Sequence, residues 1–294
     1  MARGFIYSII SAICLGSLAI FAKTGLAMGM APMQIVQYRF FFGALLLLSW
    51  IGATQPHLLR IRPKGLLKAA VLGAGIYPVQ SWLFIKALQH LPASTTSLIY
   101  YLYPVVTTLI AVIFTGLKPN KTIYQSLLLI LAGCGLVFYN AFTQAVDIRG
   151  IWFILACMVT FSIYLTLVQR FTKNDEAQRV SIWVIFFMAA AVSCISPPTT
   201  ILSQPLKGWG IAIGLGLIPT AVAISLLYRA IEKIGSAYAA MFSTVEPVTT
   251  VLLATLILDE PMDIIQLAGM VLIITGIIMP NLGLIREKTI VSAK

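Results

Sequence analysis

The same membrane-length segment occurs twice in this chain, at residues 87–119 and 230–261. The aligned positions are Ala87 with Ala230 and Tyr103-Pro104 with Glu246-Pro247. Self-similarity at a fixed spacing indicates a fold built from repeated structural units. The repeat therefore predicts two related halves, residues 1–146 and residues 147–294.

The amount of apolar side chain excludes a soluble fold. Of the 294 residues, 60% are hydrophobic and 10% are charged, and the mean hydropathy is +0.96. A soluble monomer of this composition would expose more apolar surface than water tolerates. Because a spanning helix needs about 20 mostly apolar residues, the apolar runs predict an all-α integral membrane protein with ten transmembrane helices. The predicted spans are residues 4–26, 33–52, 66–88, 93–116, 122–142, 150–169, 180–197, 209–231, 236–258 and 263–284.

The basic residues predict how these spans are oriented. Of the 20 Lys and Arg residues, 15 fall on one side of the ten-span topology, four fall on the other, and Arg39 lies inside a span. Cytoplasmic loops carry the excess of positive charge, so we expect both termini in the cytoplasm. The formal charge of +11 is then a topology signal and indicates no nucleic-acid partner. Without a targeting extension in view, the expected location is the inner membrane of the cell.

Each half contains five predicted spans, so equivalent helices of the two halves must cross the membrane in opposite directions. Two inverted five-helix repeats are a physical route to alternating access, because halves of one shape can exchange conformations. The pattern indicates a transporter. Enzymatic chemistry is not expected, since His57 and His90 are at loop positions and the four Cys residues lack metal-ligand spacing. No catalytic residue, metal or cofactor is predicted.

Several short motifs occur in an order that is doubled at the repeat spacing. They are CLGSLAIFAK at 14–23, YRF at 38–40, ALQHLPASTTSLI at 87–99, YRAIEKIGSAYAA at 228–240, Glu246-Pro247 and Asp259-Glu260-Pro261. Together they resemble EamA-type ten-helix members of the drug/metabolite transporter superfamily. The resemblance implies two four-helix half-bundles around a central cavity, with peripheral fifth and tenth helices, and export of small metabolites. The first half departs from the second where Tyr103 replaces the acid before proline and Gly116-Leu117 replaces Asp259-Glu260.

Two charged residues are predicted at membrane depth, Arg39 in the second span and Glu246 in the ninth. Because residues 1–146 contain no acidic residue, the partner of Arg39 must be in the second half, or be backbone, water or substrate. Glu246 is either a proton site or cation ligand, or a structural acid that bonds the loosened helix near Pro247 or pairs with Arg39. Both interpretations stay open.

Aromatic and polar side chains complete the candidate substrate site. They are Tyr77, Gln80, Trp82, Tyr100, Tyr101, Tyr103, Tyr164 and Trp183. Aromatic rings suit flat organic solutes and cations, but Tyr and Trp are also common at membrane interfaces, so only part of this set is expected to face the cavity. Pro104 and Pro247 lie near mid-span at equivalent positions, and each predicts either a static kink or a hinge.

The leading hypothesis is a secondary transporter that exports a small organic metabolite, such as an amino acid, by alternating access through a central cavity. In this version Arg39 attracts a carboxylate. One alternative is proton-coupled efflux of aromatic or cationic compounds, in which Glu246 exchanges a proton for substrate. Another is a non-transporting membrane assembly partner. A small-molecule substrate and the lipid bilayer are the expected partners, while proton coupling and homodimer formation stay open.

Overall fold

The fold is entirely helical in the part of the chain that the structure describes. A computed structural model describes residues 2–91, 93–115, 120–139, 147–172, 177–258 and 262–292, and none of these residues forms a strand. Four helices are long and apolar enough to cross a membrane by length and composition, at residues 3–27, 32–54, 148–172 and 206–243. The predicted all-α membrane fold is confirmed, while the count of ten spans and the inverted repeat stay predictions.

The helices follow the predicted spans, with differences at their ends. The first half contains α1 (Ala2–Ala27), α2 (Pro32–Thr54), α3 (Pro63–Ala70), α4 (Tyr77–His90), α5 (Ala93–Tyr100), α6 (Tyr103–Thr115) and α7 (Lys121–Val137). The second half contains α8 (Ile148–Thr172), α9 (Ala177–Ser193), α10 (Leu206–Gly216), α11 (Ala223–Ser243), α12 (Val245–Leu258) and α13 (Ile264–Ser292). The prediction extended α9 too far, to Pro197. The motifs at Gly116-Leu117 and Asp259-Glu260-Pro261 lie outside the described residues.

Short π-helices interrupt the third and eighth predicted spans, at Val71–Ile76 and Leu217–Val222. Near each one, a glycine lets a helix of the other half approach closely. A Cβ atom built on Gly73 would lie 2.4 Å from a carbonyl oxygen of α9, and one built on Gly216 would lie 2.5 Å from a backbone nitrogen of α2. Single π-helical turns occur frequently at functional sites, which draws attention to the side chains beside these segments.

The fourth and ninth predicted spans are each broken near the middle. Proline has no backbone N–H, so Pro104 and Pro247 cannot donate a hydrogen bond to the carbonyls four residues earlier. Those residues are Tyr100 and Ser243, and α5 and α11 end there. Each proline lies in the first turn of the next helix, where a missing N–H costs least. The breaks therefore precede the prolines themselves.

α11 passes through the junction between the predicted eighth and ninth spans. The chain changes direction inside it at Gly235, whose backbone φ is +81°. A side chain is strained in this left-handed region, whereas glycine adopts it readily. The turn that the sequence placed after residue 231 is therefore made by one glycine.

The principal packing contacts join the two halves. α1 packs on α11 and α12, and α8 packs on α4 and α6; α2 contacts α10 and α9, and α3 also contacts α9. The peripheral contact joins α7 to α13, where a Cβ atom built on Gly133 would lie 2.6 Å from the carbonyl oxygen of Gly269. Small residues allow such close approach of helix backbones in membranes. Neither half buries its helices alone.

Loops that the charge distribution placed on one side contact each other. On the predicted cytoplasmic side, Trp183 Nε1 donates to the Leu59 carbonyl oxygen at 3.1 Å. The Gln169 side-chain oxygen there accepts hydrogen bonds from the backbone N–H and hydroxyl of Ser236 at 2.8 and 2.7 Å. These contacts group the loops as the topology requires. Which side faces the cytoplasm stays a prediction.

Two acidic residues tie loops together on the opposite side. His90 Nδ1 lies 3.0 Å from Asp147 Oδ2, and the Tyr139 hydroxyl donates to Asp263 Oδ2 at 2.6 Å. A hydrogen bond from the backbone N–H of Arg149 lowers the pKa of the Asp147 carboxyl group. The Asp147 carboxyl group is therefore stabilised in its charged form.

Candidate substrate site

Arg39 is held in a fixed orientation by polar atoms of both halves. Its Nε donates to Thr220 Oγ1 at 3.1 Å, and its Nη2 donates to the Pro219 carbonyl oxygen at 3.3 Å and to the Tyr77 hydroxyl at 3.5 Å. The guanidinium carbon lies 5.1 Å from the ring centroid of Phe40, within range of a cation–π interaction. The side chain is 9% exposed.

One amino group of Arg39 has no hydrogen-bond partner in the part of the chain that the structure describes. Among the residues that the structure describes, Nη1 makes no hydrogen bond and the guanidinium group has no ion-pair partner. A buried charge is costly unless it is paired or hydrogen-bonded. An anchored guanidinium group with one free amino group is suited to bind an anion, because each N–H bond to a carboxylate is charge-assisted.

The residues that anchor Arg39 lie beside the two π-helices. Tyr77 directly follows the first π-helix, and Pro219 and Thr220 lie inside the second. The spacing that aligns Ala87 with Ala230 also aligns Tyr77 with Thr220. Equivalent positions of the two predicted repeats therefore bond to the same side chain.

Glu246 lies in the first turn of α12, where the helix dipole favours a negative charge. Its carboxyl group is close enough to the Tyr101 hydroxyl and to Arg39 to interact with both electrostatically. A direct ion pair between Glu246 and Arg39, one of the alternatives considered from the sequence, is not found within the described ranges. The opposite charges therefore share one region without neutralising each other by contact.

An aromatic cluster occupies the space beside these charges. Its members are Phe40, Tyr77, Tyr100, Tyr101, Tyr103, Phe161, Tyr164 and Tyr228. Ring-centroid distances of 5.5, 5.2 and 6.0 Å join Phe40 to Tyr77, Tyr77 to Tyr164, and Tyr164 to Phe161. Phe161 continues to Tyr103 at 5.1 Å. These rings form a nearly continuous apolar wall with hydroxyl groups along it.

Other polar contacts in this region join α8 to its neighbours. The hydroxyl oxygens of Tyr164 and Tyr228 are 2.9 Å apart, and both side chains are buried. Gln80 donates from Nε2 to the Cys157 sulfur at 3.3 Å. Gln80 is therefore near the cluster, but its amide group bonds α8.

The structure does not bring the two predicted tryptophans into the aromatic cluster. Trp82 is 51% exposed and packs against Phe153 on the outer face of α4 and α8. Trp183 bonds the Leu59 carbonyl and packs against Phe187 near the predicted cytoplasmic loops. The other six predicted aromatic and polar residues lie in or beside the region between Arg39 and Glu246.

Sequence reasoning missed four residues of this region: Phe40, Phe161, Thr220 and Tyr228. Thr220 could have been found, because the repeat alignment places it opposite Tyr77. The other three are aromatic residues in apolar runs and carry no separate signal. A cavity of about 220 Å³ between α6 and α7 is lined by none of the cluster residues. No metal-binding group of His, Cys, Asp or Glu was found in the described part of the chain.

Interrupted helices that hold charged groups inside an apolar bundle are characteristic of secondary transporters, because irregular backbone at membrane depth must be enclosed by protein or water. The fold and site thus define a membrane transporter. A family model described as the EamA-like transporter family matches residues 2–139 and 148–282. The chain belongs to this family.

Curated relatives and a solved structure cover nearly the whole chain. The uncharacterized transporter YcbK of Bacillus subtilis strain 168 is 25% identical over 292 residues, covering 94% of this chain and 92% of the relative. The aromatic amino acid exporter YddG of Escherichia coli strain K12 is 25% identical over 286 residues, covering 90% and 92%. A protein crystal structure, 20% identical, superposes with a TM-score of 0.79 over 96% of this chain and 97% of the other, which shows the fold alone.

Proposed function

We propose that this EamA-like transporter exports amino acids with aromatic side chains by alternating access. The observation that carries the proposal is the anchored Arg39 guanidinium group, whose Nη1 is free among the described residues. The guanidinium group contacts Phe40 and Tyr77 of the aromatic cluster and interacts electrostatically with Glu246. A free amino acid carries a carboxylate, an ammonium group and a side chain. Arg39, Glu246 and the aromatic cluster supply one complementary group for each.

The name of one relative favours an aromatic substrate. The relative from Escherichia coli is named an aromatic amino acid exporter and aligns with 90% of this chain. In the present chain the rings of Tyr77, Tyr103 and Phe161 supply flat apolar surface beside Arg39 and Glu246. Stacking on such rings stabilises an aromatic side chain beyond the effect of burial.

The packing between halves supports alternating access. The family model matches the two halves separately, and the principal helix contacts join one half to the other. A movement of one half against the other would repack these contacts and expose the region around Arg39 first to one side and then to the other. In the proposed orientation both termini are cytoplasmic and the protein lies in the inner membrane.

The test is solute exchange by purified protein in proteoliposomes. Three ligands share one ring: L-phenylalanine, phenethylamine, which lacks the carboxylate, and 3-phenylpropanoate, which lacks the ammonium group. We expect Arg39→Ala to lower the apparent affinity for L-phenylalanine by about 10- to 150-fold, equivalent to about 1.5–3 kcal/mol for hydrogen bonds to a charged group. Its affinity for phenethylamine should change little.

Arg149→Ala is the charge-matched control, because Arg149 is exposed and its hydrogen bond to Asp147 is donated by the backbone N–H, which alanine keeps. If Arg39→Ala and Arg149→Ala affect L-phenylalanine equally, Arg39 is not the carboxylate partner. Wild-type protein that exchanges none of the three ligands would contradict aromatic amino acid export and favour the non-transporting assembly partner.

A second candidate is proton-coupled efflux of aromatic or cationic compounds. It is favoured by the position of Glu246, whose carboxyl group is close enough to Tyr101 and Tyr103 to interact with them electrostatically. In this mechanism Glu246 binds a proton and a cationic substrate alternately. Glu246→Gln would then abolish the dependence of transport on a pH gradient, whereas amino acid export without proton coupling predicts an unchanged pH dependence and weaker binding of the ammonium group.

A further inference from the structure

We infer that Thr220 is a positioning residue that orients the Arg39 guanidinium group and so leaves its Nη1 free for the substrate carboxylate. The inference deepens the proposed function and rests on it for the nature of the anion. Thr220 is not itself offered as a substrate contact. It acts through Arg39.

The hydroxyl group of Thr220 makes two hydrogen bonds, one of them with Arg39. It accepts the hydrogen bond from Arg39 Nε at 3.1 Å and donates its own hydrogen to the carbonyl oxygen of Leu215 at 2.9 Å. Leu215 is five residues earlier, the spacing of a π-helix. Because the single hydroxyl hydrogen is committed to Leu215, a lone pair of the oxygen is available to Arg39.

The methyl group of Thr220 packs against α2. α2 and the π-helix approach so closely that a Cβ atom built on Gly43 would lie 2.6 Å from the Thr220 methyl carbon. The side chain is 0% exposed. The methyl group therefore fills the contact with α2 while the hydroxyl group holds Arg39, and substitution can separate the two contributions.

The other half contributes a bond at the equivalent position. Tyr77 accepts from Arg39 Nη2 at 3.5 Å, and the repeat alignment pairs Tyr77 with Thr220. With Pro219 accepting from the same Nη2, Nε and Nη2 are occupied by protein. Nη1 is what remains for a ligand among the described residues.

Two substitutions at Thr220 separate positioning from packing. Thr220→Val keeps the shape and removes the hydroxyl group, and Thr220→Ser keeps the hydroxyl group and removes the methyl group. We expect Thr220→Val to lower the ratio of affinities for L-phenylalanine over phenethylamine by about 3- to 10-fold, as for one hydrogen bond. Thr220→Ser should keep the wild-type ratio. The reverse order, with the ratio lost in Thr220→Ser and kept in Thr220→Val, would overturn the inference.

A double-mutant cycle tests the bond without any substrate. Thr220→Val and Arg39→Met are combined, and thermal unfolding is measured in detergent without ligand. We expect the effects to be coupled, because residues that share a hydrogen bond are non-additive. Additive effects would overturn the inference. Wild-type protein that binds L-phenylalanine and phenethylamine equally would refute the proposed carboxylate site, while coupling in the cycle would still support the positioning of Arg39 by Thr220.

Discussion

Replacement of Gly216 by alanine tests whether the close approach of α2 and the eighth predicted span is necessary. A Cβ atom on Gly216 would lie 2.5 Å from the backbone nitrogen of Gly43 and 2.6 Å from two atoms of Phe42, whereas ordinary contact begins at 3.4 Å. Backbone atoms cannot rotate away, so the two helices must separate by about 0.9 Å. Overpacking of this kind lowers the free energy of unfolding by about 1–3 kcal/mol. The separation would also displace Pro219 and Thr220, which bond Arg39.

The matched control is Gly210→Ala in the same helix, because no atom lies within 4 Å of a Cβ built there. Alanine is about 1 kcal/mol more favourable than glycine in a helix interior, so Gly210→Ala should keep or raise the thermal unfolding temperature in detergent. Gly216→Ala should lower it and weaken binding of L-phenylalanine. Equal unfolding temperatures for the two variants would refute the packing argument.

Three further outcomes are expected from thermal unfolding. Gln37→Leu should raise the free energy of unfolding by about 1–3 kcal/mol, because both amide atoms of the buried Gln37 lack hydrogen-bond partners among the described residues; a lower unfolding temperature would contradict this. Tyr164→Phe and Tyr228→Phe should each cost about 0.6–1.7 kcal/mol, and the double variant less than their sum, because they share one bond. Asp147→Asn should destabilise at neutral pH, because the backbone N–H of Arg149 lowers the pKa of Asp147. That difference should disappear as the pH falls below the ordinary value of 3.8 and the carboxylate is protonated; a difference that persists there would argue against it.

The helices could be predicted because their signals are local and strong. The spans were predicted from apolar runs of membrane length and from short basic loops. Each predicted span contains at least one helix in the structure. Each mid-span proline also predicted a kink or a hinge, because its missing N–H frees the carbonyl four residues earlier. The structure shows that α5 and α11 end at those residues, Tyr100 and Ser243. The π-helices could not be predicted, because they depend on contacts such as that of Gly216 with α2, which join residues far apart in sequence.

Candidate site residues could be chosen from the sequence where charge made a residue unusual, and they stay a prediction. Arg39 and Glu246 stand out because an ionisable group at membrane depth is costly. The tryptophans were less predictable, because an aromatic residue is equally suited to a substrate site, to the outer face occupied by Trp82, or to the loop contact of Trp183. Only the three-dimensional contacts distinguish these environments.

The difference between the halves at Tyr103 and Glu246 has a physical reason. These positions are equivalent in the repeat alignment, and the two side chains are close enough to interact electrostatically. Acids at both positions would place two negative charges in one low-dielectric region, opposed by the single guanidinium group of Arg39. Tyrosine at position 103 keeps the helix break and the ring surface but removes one charge. The site then holds one basic and one acidic group, the pair that the proposed amino acid substrate would require.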